Sequence, residues 1–218
     1  MSQHDSLDDF LASQPPGVHH SDRRLARVVR EAYPIGVPAL IMKSSTDRLG
    51  ESAGYAFHLG TPDEMLRQLA SWLLTGAGEK QSVLLRLVGG LWARHGREDV
   101  ALAAILLANL DHSRLGSDPW QVLASSTRGV EPAEALLLSI EELLRAGRGM
   151  PSEAVLLQWC EGRAVDAHMA LLASYAGSVR GSEPSASLRS ALALLEVPVG
   201  DSLLGRVKQR LLSPEAQD

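Results

Sequence analysis

Four sets of residues in this 218-residue chain have types and spacings that could do chemistry. Gly50-Glu51-Ser52-Ala53-Gly54 reads G-x-S-x-G, the pattern that holds a serine nucleophile on a sharp strand-to-helix turn. Gly76-Ala77-Gly78-Glu79-Lys80-Gln81-Ser82 has the glycines and the lysine of a phosphate-cradling loop. Seven histidines are candidate metal ligands, and the single Cys160 is a candidate nucleophile. The four tryptophans, at positions 72, 92, 120 and 159, stand out in a chain with only 4% aromatic residues.

Context removes most of these. A nucleophile elbow needs a buried strand ahead of it, and Lys43-Ser44-Ser45-Thr46-Asp47-Arg48 is too polar to be one. The segment reads as a flexible glycine-rich turn, and Ser52 is expected to be inert. The 76–82 stretch lacks the G-x-x-x-x-G-K-[ST] spacing and reads as a helix–helix connection. No two histidines stand at i, i+4 with an acidic partner, and there is no H-E-x-x-H. His95 and His112 fall at predicted helix C-termini, where a cation complements the dipole, and His168 falls mid-helix. No metal site and no cofactor are expected. Cys160 beside Trp159 reads as a buried structural thiol, since no base is nominated for it.

The elements that must position any site are helices. From about Thr61 to Leu212 the apolar residues are mostly Leu and Ala at helical spacing, and no strand-like alternation occurs. Thr61-Pro62-Asp63-Glu64 has the form of a capping box, with Thr61 as N-cap. The next helix is expected over 79–95; its Gly89-Gly90 pair weakens it and implies a close helix crossing. Others are expected at 97–110, 119–127, 132–146, 151–161, 163–176, 184–195 and 201–212, with Pro119, Pro132, Pro151 and Pro184 at their starts. Upstream, Ser21 caps a helix from Asp22 to about Ala32, with Leu25, Val28 and Val29 as its apolar stripe and Arg23, Arg24, Arg27 and Arg30 basic. Pro38 opens a short helix through Met42. Helix pairs beginning near Thr61, Arg97, Pro132 and Arg163 recur every 31–36 residues or so, a helical-repeat period. The expected fold is therefore all-α: a HEAT-like helical-repeat solenoid or a multi-helix right-handed stack. Residues 1–20 read as a mobile arm or a short helix packed outside, 21–212 as one helical-repeat domain, and 213–218 as a tail.

A formal charge of −5 argues against a broad positive field for nucleic acid while leaving room for a local basic face. One cysteine excludes an intrachain disulfide framework and a thiolate zinc cluster. The polar, acidic N-terminus has no apolar core of a secretory signal. The run from Val100 to Leu110 is too short to span a bilayer. A soluble, cytoplasmic protein is expected, with no membrane partner.

Three stretches carry a resemblance. Tyr33-Pro34-Ile35-Gly36-Val37-Pro38-Ala39-Leu40 is similar to a "G-V-x-x-P-x-L" turn into a helix, with its proline two positions early. Leu91-Trp92-Ala93-Arg94-His95-Gly96-Arg97-Glu98-Asp99-Val100-Ala101-Leu102-Ala103 is similar to an "L-W-x-x-x-x-x-E-x-x-x-x-A" helix–turn–helix. Trp159-Cys160-Glu161-Gly162-Arg163-Ala164-Val165 is similar to a "W-x-x-R-R-A-A" helix start. Together, over about residues 33–180, they resemble the HEAT-like DNA alkylation-repair (alkylpurine DNA glycosylase) family. That resemblance implies helical repeats curved around duplex DNA, with tryptophans, an acid and an arginine facing the lesion. The candidate face comprises Trp92, Arg94, Arg97, Asp118, Trp120, Arg128, Trp159 and Arg163. Arg163 alone matches the family's arginine by motif; in Asp118-Pro119-Trp120-Gln121-Val122 the acid precedes the tryptophan, where the family has it after.

Two functions follow as expectations. The first is a DNA-associated repair-type protein with duplex DNA as partner, whether a glycosylase or a divergent member without that activity. The second is a non-enzymatic helical-repeat scaffold holding a protein partner in its concave groove. Arg163 discriminates, because a cation at a helix start opposes the dipole and needs either a phosphate or a carboxylate such as Glu161 or Asp166.

Overall fold

A computed structural model describes residues 3–52, 54–129, 131–198 and 202–213; for 3–5 and 47–52 it describes the backbone alone. Every regular element among the described residues is helical. The chain divides into two compact units, Met1–Ser126 and Thr127–Asp218, where the sequence reading took 21–212 as one domain.

The first unit holds α1 (Gln3–Ala12), a short 3-10 turn (Val18–His20), α2 (Asp22–Ala32), α3 (Ala39–Ser52), α4 (Asp63–Ala77), α5 (Ser82–Arg94), α6 (Arg97–Asn109), α7 (His112–Leu115) and α8 (Pro119–Ser126). Its axis is α6, with 11 of 13 residues buried. A helix apolar on all sides belongs inside, and the alanines of Val100–Ala108 let neighbours approach closely. α4 and α5 pack on α6, α2 packs on α5, and α8 leans on both α5 and α6.

The second unit holds α9 (Ala133–Arg145), α10 (Glu153–Cys160), α11 (Ala164–Ser178), α12 (Ala186–Leu194) and α13 (Leu203–Leu212). Its axis is α11, with 11 of 15 residues buried. α9, α10 and α13 pack on α11, and α12 packs on α10 and α13. The two units thus share a pattern, two successive helices laid on a third. They share sequence at its centre as well: Trp92 precedes Asp99 by seven positions, and Trp159 precedes Asp166 by seven.

Several local expectations are corrected. Thr61 is not the cap of α4. Pro62 takes the N-cap position without a side-chain bond. The buried Thr61 hydroxyl instead donates to the Tyr33 carbonyl at 2.9 Å. A carbonyl left over at the end of α2, buried, outcompetes a helix amide that water could satisfy. Pro151 and Pro184 stand one place before the caps; Ser152 and Ser185 do the capping, accepting from the amides of Val155 and Leu188. Gly89 and Gly90 make no close crossing, because both are exposed and a Cβ on either would meet open space.

The N-terminal segment, from Gln3 on, is a helix laid on α4. Leu7 and Leu11 are buried, and the Gln68 amide donates to Asp8 at 2.6 Å. The G-x-S-x-G stretch is not preceded by a strand: α3 runs through Ser52. The Ser52 side chain and Ala53 lie outside the described residues.

Candidate functional site

The polar chemistry of each unit gathers at the N-terminus of its central helix. In the first unit Glu98 and Asp99 occupy the second and third positions of α6, and neither has exposed surface. Carboxylates there complement the helix dipole, yet burying them requires partners. Asp99 has three. The Arg94 Nε donates to its Oδ2 at 2.9 Å, Arg94 Nη2 to its Oδ1, and the Tyr33 hydroxyl to Oδ1 at 2.9 Å. The remaining Arg94 Nη1 donates to the Ala26 carbonyl of α2 at 2.9 Å. Burial, together with the adjacent Asp99 carboxylate, pushes the Tyr33 hydroxyl well above its ordinary range. Burial by itself would lower the Arg94 pKa; the bonds to Asp99 outweigh it and raise it.

Glu98 binds a loop instead of a side chain. Its Oε1 accepts from the amides of Leu59, Gly60 and Thr61 at 2.8, 2.9 and 3.4 Å, with His58 Nε2 3.9 Å away. The same loop is fastened by backbone bonds, Ala56 N–H to the His95 carbonyl at 2.8 Å and Arg97 N–H to the Phe57 carbonyl at 2.9 Å. His95 turns left-handed (φ 61°) to end α5, and the Phe57 ring covers Gly96 so closely that a Cβ there would lie 2.1 Å from it.

The second unit repeats the clasp in more open form. Asp166, third in α11, reaches back to accept from the Arg163 amide at 3.1 Å, half of a capping box. Its carboxylate also takes Arg163 Nε at 2.8 Å and Nη2 at 2.6 Å. Arg163 then reaches the Thr127 carbonyl at 3.0 Å and the Thr127 hydroxyl at 3.1 Å. The Arg163 side chain keeps 49% of its surface exposed, against 21% for Arg94.

The eight residues of the candidate face are thus placed as follows. Trp92, Trp120 and Trp159 are 1%, 5% and 8% exposed, all buried. Arg94 and Arg163 clasp the two aspartates. Arg97 opens α6 and is half-buried. The exposed Asp118 starts α8, accepting from the Gln121 amide at 2.9 Å. Arg128 is exposed, and its backbone amide donates to Glu131 at 2.7 Å. Arg163 therefore has the carboxylate partner that resolves its conflict with the helix dipole.

The other reactive types sit in structural roles. His112 is buried between the Leu107 carbonyl (2.7 Å from Nε2) and the Ser117 hydroxyl (2.9 Å from Nδ1). Cys160 is half-buried where the sequence implies a buried thiol, and burial together with Glu161 pushes the thiol up, away from thiolate. Among the described residues no cluster of three or more His, Cys, Asp or Glu side chains could hold a metal ion. No described helix is long and apolar enough to cross a membrane.

The second unit also has an open cleft of about 640 Å³ bounded by α9, α11 and α13. Leu137, Tyr175, Leu203 and Val207 make its apolar lining, and Arg206 and Arg210 give it positive charge. Sequence reasoning missed this cleft, and it missed Tyr33, Glu98 and Asp99 as the polar centre of the first unit. The one available signal was the tryptophan-to-aspartate spacing of seven, shared by both halves. No family model matches the chain, and no curated protein or solved structure matches it either.

Proposed function

We propose that this chain is a non-enzymatic helical module that docks a protein partner. The observation that carries the reading is the burial of Trp92, Trp120 and Trp159 together with the engagement of Arg94 and Arg163 by Asp99 and Asp166. Base excision needs an aromatic platform and a cation turned toward the nucleic acid. Here Trp92, Trp120, Trp159, Arg94 and Arg163 are taken up within the helical packing. The cleft of the second unit supports the same reading, since an apolar floor with arginines beside it suits one face of an amphipathic helix.

A second reading is a DNA-associated, HEAT-like repair-type protein without excision activity. The exposed arginines of α2 and Arg128 are the cations it would have to use. Two measurements on the whole chain decide between them. Incubated with alkylated duplex DNA, the protein is expected to release no modified base. Titrated with unmodified duplex at two salt concentrations, it is expected to bind weakly. Base release, or tight binding whose salt slope reports several phosphate contacts, would overturn the docking reading.

A further inference from the structure

α2 carries Arg23, Arg24, Arg27 and Arg30, all exposed, and among the described residues none of their guanidinium groups has an ion pair or a hydrogen bond. That sets them against arginines elsewhere: Arg67 holds Asp63, Arg86 holds Asp22, Arg94 holds Asp99, and Arg180 holds Glu141. At roughly 100° per residue, Arg23, Arg27 and Arg30 fall within about 60° of one another, and Arg24 widens the stripe to about 120°. The opposite face is fixed, with Leu25, Val28, Val29 and Ala32 buried and the helix packed on α5. The stripe is therefore a rigid comb about 10 Å long. Glu31, at the C-terminal end of the same side, is exposed and pairs with none of the four. Like charges at i, i+3 and i, i+4 destabilise a helix, so the comb opposes its own helix until an anion covers it.

We infer that this face of α2 receives an acidic helical segment of a partner protein. The inference rests on the docking reading above and adds to it a surface separate from the cleft of the second unit, with a chemistry of its own. A helix with glutamates at i, i+4 and i+7 presents carboxylates on the same pitch as Arg23, Arg27 and Arg30. Duplex DNA fits less well. It carries a charge every 1.7 Å or so, and useful affinity comes from about six to ten neutralised phosphates. This comb offers four cations on a chain with 21 basic and 26 acidic side chains.

The test uses the full chain and a fluorescein-labelled amphipathic peptide with glutamates at i, i+4 and i+7, a glutamine version of it, and a duplex oligonucleotide, each followed by anisotropy at two salt concentrations. The glutamate peptide is expected to bind, more weakly at higher salt, and the glutamine peptide to bind much less. The triple variant R23Q/R27Q/R30Q should weaken glutamate-peptide binding about 5- to 30-fold, while K80Q, the loss of another exposed cation, should leave it unchanged. All four side chains are exposed, so an unchanged helical spectrum and melt establish that the variants fold. Equal binding of the peptide by wild type and triple variant overturns the α2 site and leaves the docking reading standing. Failure of wild type to bind the glutamate peptide overturns the α2 site as well. Tight, arginine-dependent binding of the duplex in place of the peptide overturns both.

Discussion

Asp99 shares its two oxygens between Arg94 and Tyr33 with no surface open to water, so its removal leaves a part-buried cation and a buried hydroxyl without their carboxylate. Asp99→Ala is expected to cost about 3 kcal/mol or more, the usual result of breaking a buried pair on one side. Arg163→Ala breaks the corresponding clasp where half the arginine side chain is solvated, and about 1 kcal/mol or less is expected. Urea unfolding midpoints measure both, and equal losses would show that the two clasps are not graded by burial as described. The histidines add a pH dependence. Burial lowers the pKa of His19, whose ring lies tilted against that of Trp72 with centroids 4.3 Å apart, and of His168 in α11. A base with a depressed folded pKa takes up its proton more readily when unfolded. Its stabilising contribution is therefore complete above the unfolded value, about 6.5, and declines as pH falls below that. H19Q/H168Q should flatten the stability profile between about pH 6.5 and 5; an unaltered slope would assign the acid sensitivity to other groups.

Among the elements, α5 has a weakness with no visible return. Gly89 and Gly90 lie in its interior, exposed, with open space where a Cβ would go. Gly89→Ala and Gly90→Ala are each expected to stabilise the protein by about 0.5–1 kcal/mol, read as a higher thermal midpoint. Gly96→Ala should do the reverse, since its Cβ would enter the Phe57 ring. A lowered midpoint for the α5 variants would mean that this face is covered in solution. From Thr61 on, the sequence told helix from strand because Leu and Ala at helical spacing are a local signal; over the glycine-bearing stretch after Asp47 it implied a turn, where α3 runs on to Ser52. It told less about helix starts. Thr61 has every local feature of a cap, yet its hydroxyl is claimed by Tyr33, 28 positions away. No local pattern records such a competitor.

At the scale of the whole molecule, each unit has its own largely buried central helix, α6 or α11, packed against its own neighbours. A core of this kind is what an independently folding domain requires. A fragment spanning residues 127–218 is therefore expected to give a strongly helical circular dichroism spectrum and a cooperative melt; a coil-like spectrum would show that this unit depends on the other. The spacing of Leu and Ala pointed to the helical class, and the composition to the acidic balance of the chain. It did not reveal the polar centre, because Glu98 looks like one more acid at a helix start until the amides of residues 59–61 close on it. The basic stripe of α2 was legible at once, being local; what could not be read was that, among the described residues, its guanidinium groups have no ion pair while Arg67, Arg94 and Arg180 find carboxylates.

The clasps also set a timetable. Asp99 and Arg94 reach Tyr33 and Ala26 across 66 and 68 positions of chain, and Glu98 reaches its loop across 37 to 39. Asp166 is satisfied by a neighbour three positions away, and Arg163 reaches back only 36. Long closures are slow to search for, and folding rates fall as the mean separation of contacts grows. Refolding after a denaturant jump should therefore show the C-terminal half organising first, followed by a slower phase sensitive to Asp99 and Glu98. During synthesis the order of emergence is the opposite: the slow half leaves the ribosome first, and has the time taken to make the remaining residues in which to find its distant partners.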